Sequence, residues 1–317
     1  MRPGYGAPMD FSFWPTTAQP WADLLRGCRW AEAEGWHGIW VPDHFMTNVG
    51  LGVDDRAATE ELAPWLEAWT TQAALAALVP RVRIGAMVSG NLYRHPAVVA
   101  NMAGTIDEIS GGRFVVGLGA GWQENEHARY GIELTDPGDR SDRLEEACRV
   151  IRGLLDNERT SFAGRHYELD GAPCEPSGHG RRIPLLVGGK GERRTLRTVA
   201  RHADEWNVWA TPDEVGPKRQ VIERWCDEIG RDPAEIRITI SVMTRFCDSA
   251  KERDEVRRRL GNHGGLVGAG ADEIREAAGA YAAAGVDELV VADFNLPRGA
   301  REDVLGRLQQ EVLEEFR

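Results

Sequence analysis

Short apolar runs alternate along the chain with longer stretches in which apolar positions recur every three or four residues. The short runs lie at 10–14, 38–41, 82–88, 113–118, 184–187, 205–209, 236–246 and 288–292. Their length and flanking turn residues predict strands. The longer stretches, at 21–34, 65–78, 96–109, 139–155, 192–203, 212–229, 250–260 with 271–284, and 301–316, carry the helical period. Strand and helix alternate eight times. The strand segments, such as G-I-W-V, P-L-L-V and E-L-V-V-A, are almost continuously apolar, as strands buried on both faces of a parallel sheet must be.

This pattern predicts an α/β fold, a (β/α)8 TIM barrel forming a single domain over residues 1–317. Glycines at Gly35, at Gly111 with Gly112, and at Gly285 stand where a helix hands over to the next strand, at the bottom of such a barrel. Two irregular stretches are long, 48–64 after strand 2 and an insertion at about 156–183 before strand 5. The second contains T-S-F-A-G-R-H-Y-E-L, which reads as a hairpin with Ala163-Gly164 at its tip. Long insertions on a barrel usually serve as lids or partner surfaces.

Composition narrows the function classes. The chain is 42% hydrophobic and 28% charged, with a formal net charge of -12. Such a field repels nucleic acid and anionic membrane, so an anionic ligand must be caught by a local arrangement. The partner expected is a small-molecule substrate. Cys28, Cys148, Cys174, Cys226 and Cys247 are scattered without C-x-x-C spacing, which predicts neither a zinc site nor a disulfide framework. The N-terminal residues lack the apolar core of a signal peptide. The longest apolar run, 73–79, is far shorter than the roughly 20 residues of a membrane span. A cytoplasmic location is expected.

In a barrel of this kind the chemistry sits at the C-terminal ends of the strands. Strand 2 ends in V-P-D-H-F, placing Asp43 and His44 at the rim. An acid beside an imidazole can orient a heterocycle or move a proton near neutral pH, although a capping Asp and a loop His would leave the same trace. Strand 3 ends in M-V-S-G-N-L-Y-R-H-P, where Ser89, Gly90 and Asn91 offer small polar groups and Arg94-His95-Pro96 opens a helix. Strand 4 runs into G-L-G-A-G-W-Q-E-N-E, whose glycines lack the spacing of a dinucleotide fingerprint but let a flat ring approach backbone. Strand 5 ends in Gly188 and Gly189 before Lys190, Arg193, Arg194, Arg197 and Arg201, a combination suited to phosphate. Arg193, Arg197 and Arg201 fall on one helix face, although a merely solvated face would leave the same trace. The mixed-sign run K-E-R-D-E-V-R-R-R at 251–259 reads as a solvated face. The paired carboxylates of a barrel glycosidase, metal-ligand motifs and a nucleophile elbow are all missing. A borrowed cofactor is the economical explanation.

The segments V-P-D-H-F (41–45), G-N-L-Y-R-H-P-A (90–97), S-G-G-R-F-V-V-G-L-G-A-G-W (110–122), R-S-D-R-L-E-E-A (140–147), S-F-A-G-R-H-Y-E-L (161–169) and P-L-L-V-G-G-K-G-E-R-R-T-L (184–196) together resemble the luciferase-like monooxygenase superfamily. The resemblance is greatest to its coenzyme F420-dependent oxidoreductase branch. It implies a cofactor at the upper face of the barrel, with Asp43 and His44 near the reactive ring. It also implies a non-proline cis peptide at Ala86–Met87 supporting that ring, and cofactor contacts from Ser89 and Asn125. Gly188 and Gly189 would receive the phosphate, and Lys190, Arg193 and Arg194 the anionic tail. Trp122 stands where the sugar-phosphate dehydrogenase relatives carry a catalytic carboxylate, leaving Glu124 or Glu126 as substitutes.

The activity so implied is hydride transfer between coenzyme F420 and a small organic substrate. His44 would handle the proton and Asp43 would position. The alternatives are a two-component monooxygenase using reduced FMN from a partner flavin reductase, and a flavin-binding barrel without turnover. A homodimer is implied by the resemblance as well. Trp65 and Trp69 are expected in the core.

Overall fold

The computed structural model describes residues 8–47, 64–178, 180–261, 263–296 and 298–316. In chain order the elements are β1 (Asp10–Trp14), α1 (Trp21–Ala33), β2 (Gly38–Val41), α2 (Ala68–Leu78), β3 (Arg83–Ala86), β4 (Ser89–Gly90), α3 (Pro96–Ser110) and β5 (Phe114–Gly119). Then come α4 (Glu124–Tyr130), α5 (Pro137–Asp156), β6 (Arg159–Ala163), β7 (Glu168–Pro173), β8 (Leu185–Gly188), α6 (Thr195–His202) and β9 (Glu205–Trp209). The last are α7 (Pro212–Ile229), β10 (Arg237–Phe246), α8 (Ala250–Leu260), β11 (Gly265–Gly268), α9 (Ala271–Ala283), β12 (Glu288–Ala292) and α10 (Arg301–Glu311).

Parallel pairing runs β1-β2-β3-β5-β8-β9-β10-β12 and returns to β1, closing the predicted eight-stranded barrel. Two short strands extend it: β4 adds to the upper end of β5, and β11 pairs with the far half of β10 beyond the ring. The insertion before β8 forms the antiparallel β6–β7 hairpin.

Two apolar clusters follow from the alternation of side chains along each strand. On β12, Leu289 and Val291 face the helices and join the main core. Val290 and Ala292 face inward and pack with Trp14, Trp40, Met87, Val115 and Leu186. Below this inner layer Arg83 pairs with Glu205 and, at 3.3 Å, with Glu288. Arg237 bridges Glu288 at 3.3 Å and Asp10 at 2.5 Å. Burial pushes the Glu205 carboxyl up, against the opposing pull of Arg83. These pairs plug the bottom of the barrel, where residues serve stability.

Helix starts follow their caps. The Glu67 carboxylate accepts from the amides of Trp69 and Thr70, so α2 begins at Ala68 rather than at Trp65. Trp69 is 1% exposed, in the core as expected. The helix after β8 begins at Thr195 rather than at Glu192, because residues 192–194 form a turn in which the Leu196 amide reaches back to Gly191 O at 2.9 Å. Arg193 therefore lies outside α6, and the single helical face expected for Arg193, Arg197 and Arg201 is not formed.

Candidate active site

The loops at the C-terminal ends of β2, β3/β4 and β5 bring together a compact polar centre. His44 Nδ1 lies 2.7 Å from Glu126 Oε1. Glu126 is in the first turns of α4, wholly buried, and also accepts from the Phe45 amide at 2.8 Å and from the Tyr93 hydroxyl. Burial alone would raise its pKa. The His44 hydrogen bond and charge, the Tyr93 hydroxyl and the Phe45 amide outweigh burial and hold the carboxyl below its ordinary value. Burial, and then Glu126 itself, push the Tyr93 phenol well above its usual range. The centre thus holds an ionised carboxylate, a protonated phenol and an imidazole whose Nδ1 faces the carboxylate.

Asp43 is adjacent in sequence but belongs to a separate network. It is 1% exposed and accepts from Ser89 Oγ at 2.5 Å. Arg94 binds it through both terminal nitrogens, at 2.7 and 3.1 Å. Arg94 also pairs with Glu67, and Trp69 Nε1 donates to Ser89 Oγ at 2.9 Å. Arg94 therefore ties the end of β2 to the start of α2. Residues 48–63, nearly all of the long irregular stretch after strand 2, lie outside the described residues.

The non-proline cis peptide is at Met87–Val88, one residue beyond the Ala86–Met87 position implied by the resemblance. The ladder is still intact at Met87, whose amide donates to Val41 O at 3.0 Å, so the chain departs from the strand only afterwards. Three rim glycines answer to this segment. A Cβ on Gly117 would lie 1.9 Å from Ala86 O, one on Gly119 2.6 Å from Val88 Cγ2, and one on Gly188 2.9 Å from Val88 Cγ1. Backbone and Val88 fill the space that glycine leaves on β5 and β8.

Asn125 uses its amide within the protein, donating to Thr47 O at 3.0 Å and accepting from the Glu126 amide at 2.9 Å. Trp122 is 50% exposed and stands edge-to-face on His44 with ring centroids 5.5 Å apart. Glu124 is exposed; of the two candidate substitutes, Glu126 is the one brought to His44. After β8, Lys190 and Arg193 are exposed without a hydrogen-bonding or ionic partner among the described residues. Arg194 is drawn aside to Gly138 O and Asp142. Among the described residues no group of three or more His, Cys, Asp or Glu is placed to hold a metal ion, and no helix is long and apolar enough to cross a membrane.

Comparison with known proteins adds the following. A family model described as luciferase-like monooxygenase matches residues 1–311. Pyrimidine monooxygenase RutA of Cronobacter sakazakii is 33% identical over 217 residues, 66% of this chain and 59% of that protein. The match thus spans less than two thirds of that relative's length. An uncharacterised protein of Mycobacterium bovis is 28% identical over 213 residues, 64% of the chain and 73% of its own length. An F420-dependent secondary alcohol dehydrogenase, solved with an F420-acetone adduct, superposes with a TM-score of 0.82 at 19% identity over 98% of this chain and 99% of its own. Monooxygenase RslO1 of Streptomyces bottropensis superposes with a TM-score of 0.78 at 17% identity over 98% and 100%. At these identities the superpositions show the shared barrel fold.

Proposed function

The chain belongs to the luciferase-like monooxygenase family, and from that premise we propose that it transfers a hydride between coenzyme F420 and a small organic substrate at the mouth of the barrel. The observation that carries this reading is His44 Nδ1 held at 2.7 Å by the buried carboxylate of Glu126. An ionised carboxylate accepts only, so it selects the imidazole tautomer with its proton on Nδ1. Nε2 is then the basic nitrogen. When Nε2 takes the proton of a substrate hydroxyl, the resulting imidazolium is stabilised by Glu126. In the reverse direction the same nitrogen returns the proton to a carbonyl oxygen.

The residues present fit such a cofactor. Gly189, at φ +127, and Gly191 make a turn packed against Thr195, beside the unpartnered cations Lys190 and Arg193, a setting suited to a phosphate. Gly119 and Gly188 leave the room that the Val88 side chain occupies, which lets Val88 sit at the rim where the ring would lie. Asn125 pins the loop after β2 to α4, and the Asp43–Ser89–Arg94 network holds the backbone that carries His44. Bound there, the deazaflavin supplies a two-electron hydride acceptor or donor.

The similarity to a pyrimidine monooxygenase favours a second reading, an FMN-dependent enzyme supplied with reduced flavin by a partner reductase. FMN phosphate suits the same glycine turn. A titration of the purified protein with oxidised and reduced F420 and FMN, at two salt concentrations, separates the two. Tight, salt-sensitive F420 binding with weak FMN binding supports hydride transfer. Preference for reduced FMN overturns it in favour of the monooxygenase.

A homodimer is proposed with this function. Val98 and Ile109, 52% and 45% exposed, lie on one stripe of α3 with the half-buried Met102. Sedimentation of wild type as a dimer, and of Val98→Asp as a monomer, is the expected result.

A further inference from the structure

The charged groups around the barrel mouth are mostly engaged within the protein. Asp43 is matched by Arg94, and the Glu126 carboxylate is held by hydrogen bonds from His44, Tyr93 and the Phe45 amide. Asp293, just past β12, meets Arg301 at 2.6 Å, and Arg245, on the far part of β10, meets Glu252 at 3.1 Å. Among the described residues of these strand-end loops, unpartnered cations occur on the β8 turn at Lys190 and Arg193, where the cofactor phosphate is proposed to bind.

Another part of the rim is aromatic. Trp14 ends β1, Trp209 ends β9 and Phe294 follows β12. The Trp14 ring lies 5.4 Å from Trp209 and 4.9 Å, edge-on, from Phe294. His263 stands edge-on to Trp209 at 5.7 Å. Trp14 is buried against Met87 and Val290, whereas Trp209 and Phe294 are half-exposed. The result is a fixed aromatic backing, with Trp14 buried behind two partly exposed rings at the rim.

We propose that this wall receives an uncharged aryl group, so that the substrates are aryl-substituted alcohols and the corresponding carbonyl compounds rather than phosphorylated or carboxylated compounds. The assignment rests on the hydride-transfer reading. In oxidation the carbinol C–H bond breaks and its electron pair leaves as hydride to the deazaflavin. The hydroxyl proton passes to His44, and the C=O bond forms; reduction is the reverse. A charged substrate would be desolvated against aromatic rings and, among the described residues, would meet no unpartnered countercharge outside the β8 turn. A flat arene gains offset and edge-to-face contacts on the same surface.

The test is calorimetric titration of the full chain, alone and saturated with F420, using acetophenone, cyclohexyl methyl ketone and glucose 6-phosphate. Acetophenone is expected to bind at least threefold tighter than the cyclohexyl ketone, and glucose 6-phosphate not at all. Trp209→Leu and Phe294→Leu are each expected to weaken acetophenone at least fivefold while leaving F420 affinity unchanged. Binding of glucose 6-phosphate, equal affinity for the two ketones, or folded variants with unaltered acetophenone affinity would overturn the proposal. The ketone comparison needs no variant, so a variant that fails to fold does not block the test. Acetophenone binding to a protein that rejects F420 would support the aryl wall and remove the hydride-transfer reading. F420 binding without acetophenone binding would do the opposite.

Discussion

His44 and Glu126, 82 residues apart in sequence, meet through a 2.7 Å contact between Nδ1 and Oε1 at the barrel mouth. The carboxylate is wholly buried while the imidazole is partly exposed. One partner is therefore fixed and the other remains open to a ligand.

Removing the imidazole should abolish proton handling without emptying the site. His44→Ala is expected to lose about 10²–10⁴-fold in kcat with F420 affinity retained, read by steady-state kinetics and a binding titration. Unchanged turnover would contradict the role. Glu126→Gln, which keeps the shape but not the charge, should lower kcat less and shift the pH–rate profile.

The depressed pKa of Glu126 has a consequence for stability. Folding favours its ionised form, so its contribution is complete above the ordinary glutamate value of about 4.3 and is lost as pH falls through the lower folded value. Urea denaturation between pH 3 and 6, on the order of half-unit steps across that window, should show a steeper acid loss in wild type than in Glu126→Gln.

Arg94 is the countercharge of a carboxylate with no solvent exposure. Arg94→Met should cost about 3–5 kcal/mol, because it strands Asp43 in the interior. The double variant Asp43→Asn with Arg94→Met should regain part of that loss. Equal urea midpoints for wild type and the single variant would show that the pair contributes nothing.

Cations on the β8 turn should differ in effect. Lys190→Ala and Arg193→Ala are expected to weaken binding of the anionic cofactor and flatten its salt dependence. Arg194→Ala should do so less, since Arg194 is already engaged by Asp142 and the Gly138 carbonyl. Titrations at low and high salt check the order.

The eight barrel strands were legible because buried parallel strands are continuous apolar runs, and the bounds of β1, β2, β9 and β12 coincide with the predicted ones. The extra strands β4 and β11 were not, being two and four residues long and rich in glycine, too short to carry a period. Helix α4, E-N-E-H-A-R-Y, has no apolar stripe to announce it. Both Asp43 and His44 could be named from the end of a strand. That they serve different networks depends on Arg94, which reads in sequence as a helix opening, and on Glu126, which no local spacing distinguishes from Glu124. Pairings between separate loops leave no periodic trace. The rim glycines were read as room for a flat ring, whereas Val88 and the Ala86 carbonyl take up much of that room.

The most direct test of the central claim is an anaerobic single-turnover experiment. The protein is mixed with oxidised F420 and 1-phenylethanol, and the deazaflavin absorbance is followed in wild type and His44→Ala. Wild type is expected to bleach the absorbance with stoichiometric ketone, and the variant to do so at a rate lower by about 10²–10⁴-fold. Bound F420 that stays oxidised with every alcohol tried, or equal rates in the two proteins, would contradict that claim.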